Sequence, residues 1–133
     1  MGKPAAKQND LAVGIDTHIV MVPAGTSLVP TPLPHPFSGP LDTNLSPTVK
    51  IDGLPAAVLG SIAHNMPPHI PTPPGVSFQR PPSNQGSVSM ASTTVKINGK
   101  PAARIGDPVT TCNDPADAPT CHIVGASTVM IGG

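Results

Sequence analysis

Three copies of one short unit, the third divided between the two ends, govern what this chain can fold into. Ser46-Pro-Thr-Val-Lys-Ile-Asp-Gly-Leu-Pro-Ala-Ala-Val-Leu-Gly-Ser61 is written again as Ser92-Thr-Thr-Val-Lys-Ile-Asn-Gly-Lys-Pro-Ala-Ala-Arg-Ile-Gly-Asp107. The front half of a third copy, Ser127-Thr-Val-Met-Ile-Gly-Gly133, closes the sequence, and its back half, Gly2-Lys-Pro-Ala-Ala-Lys-Gln-Asn-Asp10, opens it. A unit split in this way is whole only if the two ends meet, which implies a closed pseudo-threefold ring. The expectation from the same arrangement is a single domain over residues 1–133 with no extension fused to it.

Each unit begins with a period of two. Val49 and Ile51, or Val95 and Ile97, fall on one face, while Thr and Lys fall on the other, the pattern of a half-buried strand. Asp52-Gly53 and Asn98-Gly99 follow. These pairs suit a tight hairpin turn, because both turn positions need positive φ. The returning strand starts with Pro55 or Pro101, where a missing N–H is tolerated, and continues through Ala-Ala. In the third unit, Met130-Ile131 is the strand, Gly132-Gly133 lies near the turn and Pro4-Ala5-Ala6 is the return. No segment carries apolar residues at helical spacing over a sufficient length. The fold class is all-β.

Between the units lie residues 11–45, 62–91 and 108–126, the first two Pro-rich. Proline fixes φ and favours extended backbone, so these segments are expected as long loops that wrap a surface without a ladder of their own. With 20 Pro, two Phe and no Trp or Tyr, the core is thin and built from Val, Ile and Ala. Such a core calls for a staple, either a metal or a partner surface.

Seven basic residues balance seven acidic ones, and no basic stripe interleaves with aromatics, which argues against nucleic-acid binding. The polar N-terminal stretch has no signal-peptide core, so a cytoplasmic protein is expected. If it leaves the cell, a machine must carry it.

Every His and Cys falls in the three intervening segments: His18 and His35 in the first, His64 and His69 in the second, Cys112, Cys121 and His122 in the third. A threefold ring would bring these segments together at one end, where N and S donors can form a tetrahedral zinc site. His35 lies between Pro34 and Pro36, and His69 follows Pro67-Pro68, so both sit on stiff backbone. His18 precedes a short apolar run, and Cys112 stands at the mouth of the shortest segment. His64 is on softer backbone. Cys121 and His122 are adjacent, so at most one points inward. These residues leave Cys121 as an alternative to Cys112, and His64 as an alternative to His69.

No Gly-rich phosphate loop and no Gly-x-Ser-x-Gly elbow is present, and the chain contains no Glu. A zinc hydrolase would need an open fourth ligand position and a nearby carboxylate. The donor supply instead favours a closed, structural site and a non-enzyme.

Pro101-Ala-Ala-Arg104 followed by Ile105-Gly106-Asp107, with Pro55-Ala-Ala-Val58 and Pro4-Ala-Ala-Lys7 as degenerate copies, resembles the motif of PAAR-repeat proteins. The resemblance implies a small conical fold of β-hairpins in pseudo-threefold array. Such a cone would sit on the trimeric valine-glycine repeat protein G spike of a type VI secretion system or a related contractile injection machine. It would sharpen the spike for membrane puncture and effector delivery. The resemblance also implies a zinc near the apex held by three His and one Cys. The segments Asp16-Thr-His-Ile-Val-Met21, Pro30-Thr-Pro-Leu-Pro-His-Pro-Phe37, Pro67-Pro-His-Ile-Pro-Thr-Pro-Pro74 and Thr111-Cys-Asn-Asp-Pro115 carry it. They supply His18, His35, His69 and Cys112. A second expectation is an adaptor that docks a separate toxin onto the spike through residues 11–45 and 62–91.

Overall fold

The computed structural model describes residues 2–132, and it contains strands and turns with no helix among them. The strands are β1 (Lys3–Pro4), β2 (Leu11–Ala24), β3 (Ser27–Thr43), β4 (Lys50–Ile51), β5 (Leu54–Pro55), β6 (Ile62–His64) and β7 (Ser77–Phe78). They continue as β8 (Gln85–Val88), β9 (Lys96–Ile97), β10 (Lys100–Pro101), β11 (Pro108–Thr111), β12 (Ala118–Val124) and β13 (Met130–Ile131).

The repeats are three small hairpins, β4–β5, β9–β10 and β13–β1. In the third, Lys3 pairs with Ile131 and Pro4 with Met130, so the divided unit is reunited by strand pairing. Gly133, assigned to the turn of that unit, lies outside the described residues. The Asp52-Gly53 and Asn98-Gly99 turns have positive φ at both positions, as a type I′ turn requires.

A ring of backbone hydrogen bonds joins the three units. Ala6 N–H donates to Ala103 C=O, Ala103 to Ala57 and Ala57 back to Ala6, each at 3.0 Å. Outside it runs a second cycle at 2.8 Å: Gln8 N–H to Pro55 C=O, Leu59 to Pro101 and Ile105 to Pro4. This accounts for the repeated Ala-Ala. Adjacent residues on extended backbone point to opposite faces. Ala6, Ala57 and Ala103 therefore face one core with Phe37, Leu41 and Ile123, while Ala5, Ala56 and Ala102 face another with Ile51, Ile97 and Ile131. All six alanines are fully buried. The residues after them are tied locally. The N–H groups of Lys7, Val58 and Arg104 donate to the side chains of Asp10, Ser61 and Asp107.

The intervening segments also form a threefold set. β2–β3, β6–β8 and β11–β12 are antiparallel pairs, and β12 also pairs with β2, which closes six strands into a barrel. At that seam Gly14 lies against Thr120, where a Cβ would run into the Thr120 carbonyl. β7 adds outside the closed set, against β2.

The first Pro-rich segment thus differs from expectation. Residues 11–45 are mostly a long hairpin with a continuous register from Leu11↔Pro40 to Ala24↔Ser27. Pro30, Pro32, Pro34 and Pro36 recur every second residue, so their missing N–H groups all fall on one edge, the edge away from β2. Ser38, in the same phase, shows which edge that is. Its N–H donates to Asn65 Oδ1 at 2.9 Å and its C=O accepts from Met66 N–H at 3.0 Å. Proline is compatible with a strand when it sits in this phase. The alternate residues His35, Phe37, Gly39 and Leu41 are buried. Residues 65–76 match the expectation better. They pass along the outer edge of β3 and then reach β2, where Val76 N–H donates to Met21 C=O.

Candidate metal centre

Position along the hairpin decides what meets in the barrel. Leu41 N–H donates to Asp10 C=O beside the alanine ring. Each residue of strand adds about 3.3 Å, so Asp16 and His18 stand roughly 20–26 Å further along. Even-numbered residues of β2 point inward there: Asp16, His18 and Val20 are all essentially buried. From β3 comes His35, two residues beyond Phe37. The excursion between β6 and β8 contributes His69, whose backbone N–H is anchored by Asn84 Oδ1 at 2.7 Å. Cys112 follows directly on β11.

The four histidine and cysteine side chains implied by the resemblance are therefore neighbours. The rings of His18, His35 and His69 lie with centroids 4.8–5.6 Å apart, and Cys112 Sγ is 3.8 Å from His18 Nε2. Phe78 packs against His18 and His35 as an apolar wall. His64 is elsewhere, half exposed and bonded to Asp42 at 2.7 Å. His122 is exposed. Cys121 is buried in the barrel core, and both cysteines are free thiols.

Asp16 joins this group, and the sequence reading passed over it. One oxygen, Oδ1, accepts from the hydroxyls of Thr111 and Thr120. The other, Oδ2, lies 3.1 Å from His69 Nε2, 3.5 Å from Cys112 Sγ and 3.8 Å from His18 Nε2. Asp16, His18, His69 and Cys112 each offer one ligand atom, and these four atoms lie within 4.8 Å of one another. The signal was present in Asp16-Thr-His18, since residues two apart share a face of a strand.

Outer partners hold the group. Asp114 Oδ2 is 3.5 Å from His18 Nδ1 and accepts from Ile19 N–H at 2.9 Å, and Arg80 grips its other oxygen. Asn65 Nδ2 lies 3.2 Å from His69 Nδ1. His18 Nδ1 is a buried polar atom without a hydrogen bond.

The electrostatics show one tightly coupled set. Burial pushes the Asp16 carboxyl up, but hydrogen bonds from His18, His69, Thr111 and Thr120 outweigh it and hold the group well below its ordinary range. Burial disfavours charge on His18, yet Asp16 and Cys112 raise it to about 9. His69 is raised for the same reasons. Burial raises the Cys112 thiol, and His18 and His69 override that to bring it down to about 7. Burial pushes Cys121 up to about 11, and burial lowers His35. Imidazole, thiolate and carboxylate at this spacing suit a divalent borderline metal such as zinc. A buried cluster of donor atoms fits that use. The metal-binding potential is therefore a property of the described residues.

Comparison with known proteins gives one finding of family. The family model described as the PAAR motif matches residues 79–133. A comparison with curated proteins finds no match.

Proposed function

Starting from the chain as a PAAR-motif protein, and so as a spike-associated protein of the type VI secretion kind at family level, we propose that it caps the trimeric valine-glycine repeat protein G-type spike of a contractile injection machine. It acts as the sharpened end for membrane puncture and effector delivery. It is a mechanical part and no enzyme, assembled on the apparatus in the cytoplasm and carried out of the cell with it.

The observation that supports this reading is the cyclic hydrogen bonding of Ala6, Ala57 and Ala103. It gives one chain three near-equivalent faces, so a single copy can match a true threefold partner. The small hairpins around the ring expose Val49, Val129 and Met130, the last to 58%. They supply apolar contact for such a seat. A metal held in the barrel would staple three hairpins together. Structural zinc supplies on the order of 10 kcal/mol of folding free energy, comparable to the whole stability of a small domain. Bound zinc would therefore contribute rigidity rather than chemistry.

The test is to mix the chain with a purified trimeric spike and measure the mass of the complex by analytical ultracentrifugation. One chain per trimer is expected, and Val49→Asp with Val129→Asp should weaken binding by at least about tenfold, the effect of burying unpaired charge. Three chains per trimer, or no complex at all, would sink the capping reading.

A further inference from the structure

We propose that the seat formed by the hairpin ring is built for an acidic rim: the threefold partner carries a carboxylate on each subunit beside its apolar end, and Lys3 and Lys100 receive two of the three. This rests on the reading that the chain caps such a partner.

Charge is divided unequally over the molecule. The three repeat units hold six of the seven basic residues and three of the seven acidic ones, whereas the intervening segments hold Arg80 and four Asp. Within the units, Lys7 is paired with Asp10 at 3.0 Å and Arg104 with Asp107 at 2.8 Å. The other four, Lys3, Lys50, Lys96 and Lys100, are exposed, and among the described residues their ammonium groups have no ion pair or hydrogen bond. Asp52 is the one acid of the units without a basic partner, and it is tied to Thr128 instead. Four lysines against Asp52 leave the hairpin end positive, on a chain whose formal net charge is zero.

Register puts two of these lysines at the seat. Cross-strand partners share a face of a hairpin. Lys3 is paired with Ile131, Lys100 with Ile97 and, at the equivalent place, Leu54 with Ile51. Val49 and Val129 lie two residues before Ile51 and Ile131, so they share that face. The apolar seat is therefore bordered by a threefold set of positions, filled by Lys3, Lys100 and Leu54. Lys50 and Lys96 are one residue out of this phase and add to the field from the opposite face.

Lysine around an apolar patch selects its complement. A basic partner rim would be repelled and a bare apolar one would leave the ammonium groups unused, while carboxylates gain charge-assisted contacts there. The lysines border a face with no aromatic residue among them, which favours a protein rim over a nucleic acid. Because the attraction acts before contact, it is read in the association rate and its dependence on salt.

Stopped-flow association of the full chain with a purified trimeric spike tests this. As salt rises from about 0.01 M to about 1 M, the Debye length falls from about 30 Å to about 3 Å. The wild-type association rate should fall by at least about tenfold over that range. Lys3→Gln with Lys100→Gln should slow association at low salt and flatten the dependence, with an unchanged melting temperature because neither ammonium has a partner to lose. Leu54→Lys completes the threefold set and should speed low-salt association by about threefold or more, a gain that no role in folding predicts. A rate indifferent to salt, a rate unmoved by the double substitution, or a Leu54→Lys chain that binds no faster would overturn the acidic rim and leave capping in place. Duplex DNA or phosphatidylserine vesicles that displace the chain from the spike at about 0.1 M salt would overturn it too, since the lysines would then be reading phosphate. Absence of a complex at every salt concentration would instead overturn the capping reading beneath it.

Discussion

Ala57→Val asks whether the centre of the ring is closed packing or merely a place where small residues happen to sit. Ala57 is fully buried, donates its N–H to Ala6 and accepts from Ala103, and its side chain belongs to the core of Phe37 and Leu41. Valine adds two methyl groups. With room for them, burial at about 0.8 kcal/mol per group would stabilise the fold by about 1.6 kcal/mol. Without room, overpacking costs about 1–3 kcal/mol. The ring geometry selects the second case, because Ala6 and Ala103 crowd the same axis. The sign of the change is therefore diagnostic. Denaturation with urea at fixed metal saturation should show a lower midpoint with an unchanged slope. Ala6→Val and Ala103→Val should behave alike, and a second substitution in the ring should cost less than the first, since the residues share one strained contact. A neutral or stabilising result at any of the three positions, or a spread between them above about 1 kcal/mol, would refute the argument from threefold packing.

Three further outcomes follow from the titrating groups of the metal-free protein. The Asp16 carboxyl is held below its ordinary value of 3.8, so its stabilisation is complete above that pH and is lost as pH falls toward the depressed folded value. Thermal melting in chelator should therefore decline below about pH 4, and Asp16→Asn should flatten that limb; an unchanged acid limb would contradict the assignment. At higher pH, His18 stabilises below 6.5 and loses this as pH rises through about 9, while Cys112, brought from 9.0 to about 7, stabilises above 9.0 and loses it as pH falls through about 7. The two contributions oppose each other there, so a flat profile between about pH 7 and 9 is expected. The thiols themselves should separate: Cys112 lines a cavity of about 210 Å³ with His18 and Arg80, whereas Cys121 is held at about 11 in the barrel core. After chelation at pH 8, iodoacetamide should label Cys112 ahead of Cys121 by peptide mapping, and the reverse order would refute the ranking.

The sequence announced the ring because its turns and its alanines repeat in register, and strand pairing of Lys3 with Ile131 completes what the split unit implied. It also grouped the donors, and His18, His69 and Cys112 come together in the barrel. Two features escaped. The hairpin of Leu11–Ala24 with Ser27–Thr43 was obscured by counting prolines instead of reading their phase; every second position is the one phase a strand edge tolerates. Asp16 escaped because the donors were sought among His and Cys alone, although its spacing from His18 already placed both on one inward face. The hydrogen bonds that occupy both nitrogens of His35 could not be read at all. They depend on Thr72 arriving from a segment remote in sequence.

The pairing of Lys3 with Ile131 has a consequence for the order of events during synthesis. Hairpins such as β4–β5 and β9–β10 use contacts a few residues apart and can form as soon as they emerge. The alanine cycle cannot: Ala6 waits for Ala103, and the strand beside it waits for Met130 and Ile131. A ribosome adding about 5–20 residues per second thus leaves the first residues without their partner for roughly 6–25 s. Closure then bears the loop entropy of almost the whole chain at once, a topology that folds slowly for its size. Until then β1 is an unpaired edge, and whatever shields it governs the yield of folded protein.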